Sequence, residues 1–357
     1  MPPEVEGAEG DGAVPPECES GERTTMNVGA VVIGRNEGER LVRCLKSVRD
    51  KVTPVVYVDS GSTDGSVERA RGLGCEVVEL DTSVPFSAAR ARNAGFERLR
   101  QLSPDSHLVQ FVDGDCELDG AWIEYAAEQL LAHERWAIVA GRRRERHPEA
   151  SVYNLLCDVE WDTPIGRAEA CGGDFLVRAA AFAAAGGFDP TVIAGEEPEL
   201  CYRLRRAGYE VHRLDHEMTL HDAAMTRFAQ WWRRAERAGY AFALVSSMHW
   251  GEPGAPWLRQ LASVVAWACF PVVVVAGVVV VGPGALVGFG LYVVLWFKIY
   301  RFLRQGRGLA PRTARLYALA CVGGKFAEFQ GALRAARDLL LRRERTIIEY
   351  KRPADSV

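Results

Sequence analysis

Leu108-Val109-Gln110-Phe111-Val112-Asp113-Gly114-Asp115 is the stretch on which the fold turns. A short apolar run that stops abruptly at acid-glycine-acid reads as a buried strand delivering two carboxylates to its carboxyl end. The same pattern occurs twice upstream. Residues 28–33 lead into Gly34-Arg35-Asn36-Glu37, and residues 55–58 lead into Asp59-Ser60-Gly61-Ser62-Thr63-Asp64. Residues 77–80 and 137–139 read as further strands. Helix-period stretches near 40–48, 66–72, 87–102 and 121–133 separate them. Strand–helix alternation of this kind predicts an α/β fold with a doubly wound, mostly parallel sheet. Such sheets bind ligands beyond the carboxyl ends of their strands, so the three polar clusters converge on one crevice. From about 141 to 243 the strand signals thin out and helix is expected to dominate, with an aromatic-basic stretch at 228–237.

The bulk composition narrows the function. The chain has 357 residues, 48% of them hydrophobic, and a net charge of -4, so no global charge argues for nucleic acid. Residues 1–22 hold seven acids and no Lys or Arg, while 301–352 hold thirteen Lys/Arg against four acids. The Pro/Gly/Glu-rich stretch 1–26 has no apolar segment of signal-peptide type and reads as a disordered acidic tail. Nine cysteines are scattered with no C-x-x-C pair, which argues against a zinc site or a disulfide framework and for reduced thiols.

Residues 261–297 carry no formal charge, thirty-seven in a row, interrupted by Gly282-Pro283-Gly284. A spanning helix needs about 20 residues, so two transmembrane helices within 258–304 are expected, joined by a tight turn. Arg233, Arg234, Arg237 and Arg259 precede the pair and Lys298, Arg301, Arg304 and Arg307 follow it. Positive charge on both flanks places both in the cytoplasm, against an inner membrane. The expected organisation is then a tail (1–26), a globular domain (27–245), the membrane hairpin (258–304) and a basic cytoplasmic or interfacial tail (305–357). Within that tail, 316–324 reads as an interfacial helix.

Two carboxylates one residue apart at a strand end can face one divalent ion, Mg²⁺ or Mn²⁺, which bridges to phosphate oxygens. Taken alone, Asp113-Gly114-Asp115 is equally an ordinary Asp-Gly turn. Its companions occur in order: Val31-Val32-Ile33-Gly34-Arg35-Asn36-Glu37, Val58-Asp59-Ser60-Gly61-Ser62-Thr63-Asp64-Gly65, and Ala91-Arg92-Asn93-Ala94-Gly95. With these four elements the chain resembles the family 2 glycosyltransferases over about residues 27–240. That resemblance implies a GT-A fold, a nucleotide-diphosphate sugar donor and a divalent metal. It implies that Arg35, Asn36, Glu37, Asp59 and Ser60 contact the nucleoside and that Arg92 and Asn93 support the nucleotide side. Asp115 becomes the principal metal ligand, with Asp113 nearer ribose or metal. The family often has a second acid where this chain has Ser60, which leaves the base open.

Gly195-Glu196-Glu197-Pro198-Glu199 looks like the family's acidic catalytic motif, with Glu197 in the place of the usual Asp. Pro198 suits the first turn of a helix and Gly208 its end. The helix dipole there favours an ionised carboxylate, which is what a general base must be. Capping of the helix by the two glutamates is the structural alternative. His221, twenty-four residues on, stands where family members commonly place a histidine that in some ligates the metal. Gly173, Asp174, Trp161 and Glu196 fall where the acceptor site forms, or Gly172-Gly173 makes a structural turn. Gln230-Trp231-Trp232-Arg233-Arg234 matches the Gln and Arg of the family's Gln-x-x-Arg-Trp but replaces its Trp, which argues against processive synthesis. Arg233 then neutralises diphosphate, or the tryptophans form an interfacial belt.

The expected activity is inverting transfer of a sugar to a hydroxyl of a lipid-linked or membrane-proximal glycan. Transfer to a polyprenyl phosphate and a non-catalytic nucleotide-sugar-binding membrane protein are the rivals. A dehydrogenase is disfavoured because no G-x-G-x-x-G follows the first strand.

Overall fold

The structure, a computed structural model, describes residues 27–343 and 345–349; the expected acidic tail and the last residues of the basic one lie outside these. The first half alternates as its apolar runs predict: β1 (Val28–Gly34), α1 (Glu39–Arg49), β2 (Val55–Asp59), α2 (Ser66–Gly72), β3 (Glu76–Glu79), α3 (Ala88–Leu102) and β4 (Leu108–Asp113). β1, β2 and β4 are buried along nearly their whole length, which is why they read as continuous apolar runs rather than alternating ones.

The second half holds more strand than its sequence suggests. β5 (Cys116–Leu118), α4 (Trp122–Ala132), β6 (Trp136–Glu145), α5 (Val152–Trp161), β7 (Gly166–Ala168), β8 (Phe175–Arg178), α6 (Ala179–Ala184), α7 (Glu196–Arg206) and β9 (Glu210–His221) follow in turn. The sheet order is β3-β2-β1-β4-β8-β6-β9-β5, with β7 paired to β9. β1 to β4 run parallel, β8 runs antiparallel to both β4 and β6, and β9 is parallel to β6. The sheet is therefore parallel in its first half and mixed in its second. β8 lies in the interior of the sheet, directly after Gly172-Gly173.

Two packing features carry the site. α3 lies close on β1 because Gly95 has no side chain: a Cβ there would overlap Val31. Ser87 caps the same helix by accepting from the Arg90 amide at 3.2 Å. Phe111 of β4, Phe175 of β8, Phe182 of α6 and Phe188 are fully buried, with ring centroids 5.1–5.8 Å from Phe111. Each such ring contributes about 1.5–3 kcal/mol by leaving water. Together they fix the chain that leads into α7.

Beyond β9 come α8 (Phe228–Met248), α9 (Leu258–Val281), a 3-10 segment (Pro283–Phe289), α10 (Gly290–Gln305) and α11 (Pro311–Leu340). Leu258–Val281 and the run Pro283–Gln305 are long and apolar enough to cross a membrane, and 11% and 6% of their most apolar windows are buried. The residues 316–324 are one part of a 30-residue helix that packs along α8. Two glycines allow that close crossing, because a Cβ on Gly239 would overlap the Glu328 carbonyl and one on Gly331 the Glu236 carbonyl.

Candidate active site

The carboxyl ends of β1 and β4 open onto one cavity of about 1250 Å³. Parallel pairing sets Ile33 beside Asp113, and the Gly114 amide donates to the Ile33 carbonyl at 2.8 Å. β5 then turns back along β9 with Cys116 opposite His221. That register brings Asp115 to His221 across more than a hundred residues of chain. His221 Nε2 lies 3.0 Å from Asp115 Oδ2, and both side chains are buried. Trp161 stands edge-on to the His221 ring, centroids 4.5 Å apart. Asp115, Cys116 and His221 offer ligand atoms within 4.8 Å of one another. Burial pushes the Cys116 thiol well up, so it stays protonated and offers no thiolate. A carboxylate oxygen and an imidazole nitrogen remain, a donor set that fits Mn²⁺ better than the all-oxygen preference of Mg²⁺.

Asp113 has a different situation from the one its motif suggests. Its Oδ1 accepts from Arg92 at 2.8 Å and its Oδ2 from Arg143 at 2.9 Å. Two guanidiniums thus hold both oxygens, and Asp113 also groups with Cys116 and Asp174 as atoms close enough to share one ion. Asp174 supports this arrangement from beneath. One of its oxygens accepts from the Asp113 amide, and the other from Arg143 Nε and Thr219 Oγ1. Gly173 allows the close approach: a Cβ would come within 2.6 Å of both Arg92 Nη2 and Asp113 Oδ2. Arg143 lies in the run Arg142-Arg143-Arg144 and was not legible as a site residue. Burial works against charge on Arg143, but Asp174 and Asp113 outweigh it and hold the guanidinium ionised.

Arg92 joins the two halves of the site. It is 2% exposed and reaches Asp113 at 2.8 Å, Glu197 at 3.0 Å and Glu196 at 3.2 Å. Burial works against its charge, but Glu197, Asp113 and Glu196 raise its pKa. The glutamates open α7, whose N-cap Gly195 has φ 84°, a left-handed conformation that glycine tolerates. The helix dipole does not dominate here as the sequence suggests. Burial, with the Glu196 carboxylate beside it, pushes the Glu197 carboxyl up to about 7 against the pull of Arg92. Glu196 is 2% exposed, and its Oε2 has no hydrogen-bond partner.

On the donor side, Arg35, Asn36, Glu37 and Ser60 line the cavity. Asn36, at φ 56°, ties its loop to the next: its amide donates to Ser62 Oγ and its Oδ1 accepts from the Thr63 amide. Arg35 lies over the Phe86 ring and reaches Glu349 at 3.2 Å. Four further residues, Asp59, Asn93, Asp174 and Trp161, are not among those that line the cavity. Asp59 is 2% exposed and accepts from Tyr57 and from the amides of Gly61 and Ser62, shaping the loop. Asn93 bonds both backbone groups of Phe188. Asp174 is shut beneath Asp113, and Trp161 backs His221 and Arg143.

α8 supplies the far wall. Gln230 caps it, its Oε1 accepting from the amides of Thr226 and Arg227. Arg233, Arg234 and Arg237 line the cavity, and Arg234 pairs with Glu160 at 2.6 and 2.8 Å. Trp232 Nε1 donates to Gln330 of α11, so this tryptophan joins helices.

Residues 30–164 match the family described as Glycosyl transferase family 2. The chain is 26% identical over 212 residues to the succinoglycan biosynthesis protein ExoA of Rhizobium meliloti, covering 55% of this chain and 63% of the relative. It is 26% identical over 272 residues to the pre-mycofactocin glycosyltransferase of Mycobacterium tuberculosis, covering 68% of this chain and 52% of that one. The chain thus spans a little over half the length of these relatives. Among solved structures, the mannosyltransferase PcManGT of Pyrobaculum calidifontis, in complex with GDP-Man and Mn²⁺, superposes with a TM-score of 0.56. The two share 18% identity over 87% of each chain, which is a likeness of fold.

Proposed function

Because the chain belongs to glycosyltransferase family 2 and has the GT-A fold, we propose that it is a membrane-anchored inverting transferase. It moves a sugar from a nucleotide-diphosphate sugar to a hydroxyl of a lipid-linked or membrane-proximal glycan. One observation carries this reading: Asp115, beside His221, and Glu197 line a single cavity, joined across its floor by Asp113 and Arg92.

The nucleoside lies against the loops of Asn36 and Ser60, at the carboxyl ends of β1 and β2. Asp115 and His221 would hold a divalent ion, which would supply Lewis-acid neutralisation of the diphosphate charge. Arg233, exposed on the cavity wall, adds positive charge to the leaving group. Glu196 Oε2 orients the acceptor hydroxyl, and Glu197 takes its proton as the oxygen attacks the anomeric carbon from the face opposite the diphosphate. A carboxyl with a pKa of about 7 is matched to that task at neutral pH. Two apolar helices flanked by basic residues hold the site at the cytoplasmic face of the inner membrane. The relative named for succinoglycan biosynthesis supports a glycan product.

Transfer to a polyprenyl phosphate is the second reading, favoured by the two cavity-lining guanidiniums of Arg233 and Arg237, which have no ionic partner among the described residues. A phosphate acceptor is already ionised and has little need of a base. Glu197→Gln separates the two: it cripples transfer to a hydroxyl and spares transfer to a phosphate. A screen of nucleotide sugars for Mn²⁺-dependent hydrolysis by the detergent-solubilised protein tests the class itself. No released nucleoside diphosphate from any donor would remove both readings.

A further inference from the structure

Residues 345–349, which follow α11, lie against the catalytic domain and reach the wall of the crevice. Arg345 Nη1 donates to the Thr191 carbonyl at 3.0 Å. Ile348 is 6% exposed and clusters with Val192, Ile193, Tyr240, Leu244 and Ala335. That burial pins the segment, and the neighbours of Ile348, Ile347 and Glu349, line the cavity.

Glu349 Oε1 lies 3.2 Å from Arg35 Nη1, and the two side chains are about a third exposed. Arg35 follows Gly34, whose carbonyl accepts from the Ser60 amide at 3.1 Å. The pair therefore stands beside the two loops against which the nucleoside lies. The Arg35 guanidinium sits 4.6 Å over the Phe86 ring, which holds its orientation. Its Nε is buried and has no hydrogen-bond partner among the described residues. A buried donor left unmet costs free energy, which an acceptor on a ligand would recover.

Resting on the reading of this crevice as a nucleotide-sugar site, we propose that Arg35 and Glu349 read the base of the sugar nucleotide, and that the base is guanine. A guanidinium only donates and an ionised carboxylate only accepts. Guanine carries O6, N1–H and the N2 amino group in a row along one edge. O6 accepts from Arg35, and the two N–H groups beside it fill the two oxygens of Glu349. Uracil has one N–H flanked by two carbonyls, so a carboxylate oxygen would face a carbonyl oxygen. Adenine and cytosine each set a single amino group beside a ring nitrogen that accepts. Guanine alone of the four fills both oxygens. The acid that reads the base thus comes from the far end of the chain, where the loop after β2 supplies Ser60.

Calorimetric titration of GDP, UDP, ADP and CDP into the full chain in detergent micelles, with Mn²⁺ present, tests this. GDP is expected to bind about tenfold or more tightly than the other three, the difference made by one hydrogen bond to a charged group. Glu349→Gln keeps the shape and turns one acceptor into a donor. It lowers GDP affinity about tenfold and raises UDP affinity, because an amide matches an N–H beside a carbonyl. Thermal unfolding of the variant checks the fold.

A contact that only pins the chain would change all four affinities alike, or none. Either result in folded Glu349→Gln, or a wild-type preference for another base, overturns the assignment and leaves the transferase reading standing. Binding of none of the four with Mn²⁺ present removes both.

Discussion

Arg92 is the residue whose loss the structure prices most clearly. Its guanidinium Nη1 serves Glu196 at 3.2 Å and Glu197 at 3.0 Å, while Nη2 serves Asp113 at 2.8 Å. At 2% exposure, water screens little of this. Arg92→Met leaves three carboxylates facing one another in a buried floor. Removing one partner of a buried ion network costs about 3–5 kcal/mol, because the remaining charge is uncompensated. For a domain of this size that lowers Tm by roughly 10 °C.

The sign of the pH dependence follows. Without Arg92 the Glu197 carboxyl, already raised by burial, has a folded-state pKa still further above its unfolded one. Such groups keep their stability below the unfolded carboxylate range and lose it as pH rises through the folded pKa. The deficit of the variant is therefore small near pH 4 and grows toward pH 8. Arg92→Lys recovers only part of it, since one ammonium cannot span Asp113 and Glu197 as the planar fork does. Thermal unfolding followed by tryptophan fluorescence at several pH values reads all three. A Tm for Arg92→Met within 2 °C of wild type at pH 8 would refute the role of Arg92 as the joint of the site.

Turnover with a hydroxyl acceptor rises with pH through about 7 as Glu197 loses its proton, and Glu197→Gln flattens that limb while lowering kcat by about 10²–10⁴. Initial rates between pH 5.5 and 8.5 measure both, and an unshifted limb in the variant assigns the base elsewhere. Gly331→Ala places a methyl on the Glu236 carbonyl and separates α11 from α8. It costs about 1–3 kcal/mol in overpacking, read as a drop in Tm, and a wild-type Tm would show that the crossing is loose.

The legible part of the fold was the part buried on both faces. β1, β2 and β4 are apolar without a break, so their runs and the polar clusters after them could be read directly. β9 could not, because Glu210, His212, Arg213, Asp215, His216 and Glu217 give it a composition that strands usually avoid. Asp115, His221 and Glu197 came from the order of motifs; Asp115 and Glu197 line one cavity, and His221 is buried against Asp115. The backbone bonds of Asp59 and Asn93 were not legible, because short polar side chains bond nearby backbone as readily as a ligand, which spacing does not reveal. Arg143 was hidden in a basic triplet that reads as a solvated face. Register shifts between Ala140 and Arg143 break the alternation that would have turned it inward.

The central claim is that Asp115, with His221, holds the metal on which donor binding depends. Calorimetric titration of a nucleotide sugar into the solubilised protein, with and without Mn²⁺, tests it most directly when repeated on Asp115→Asn. The account predicts that wild type binds donor only with Mn²⁺ and that the folded variant binds it in neither condition. Mn²⁺-dependent binding that survives unchanged in Asp115→Asn would contradict it.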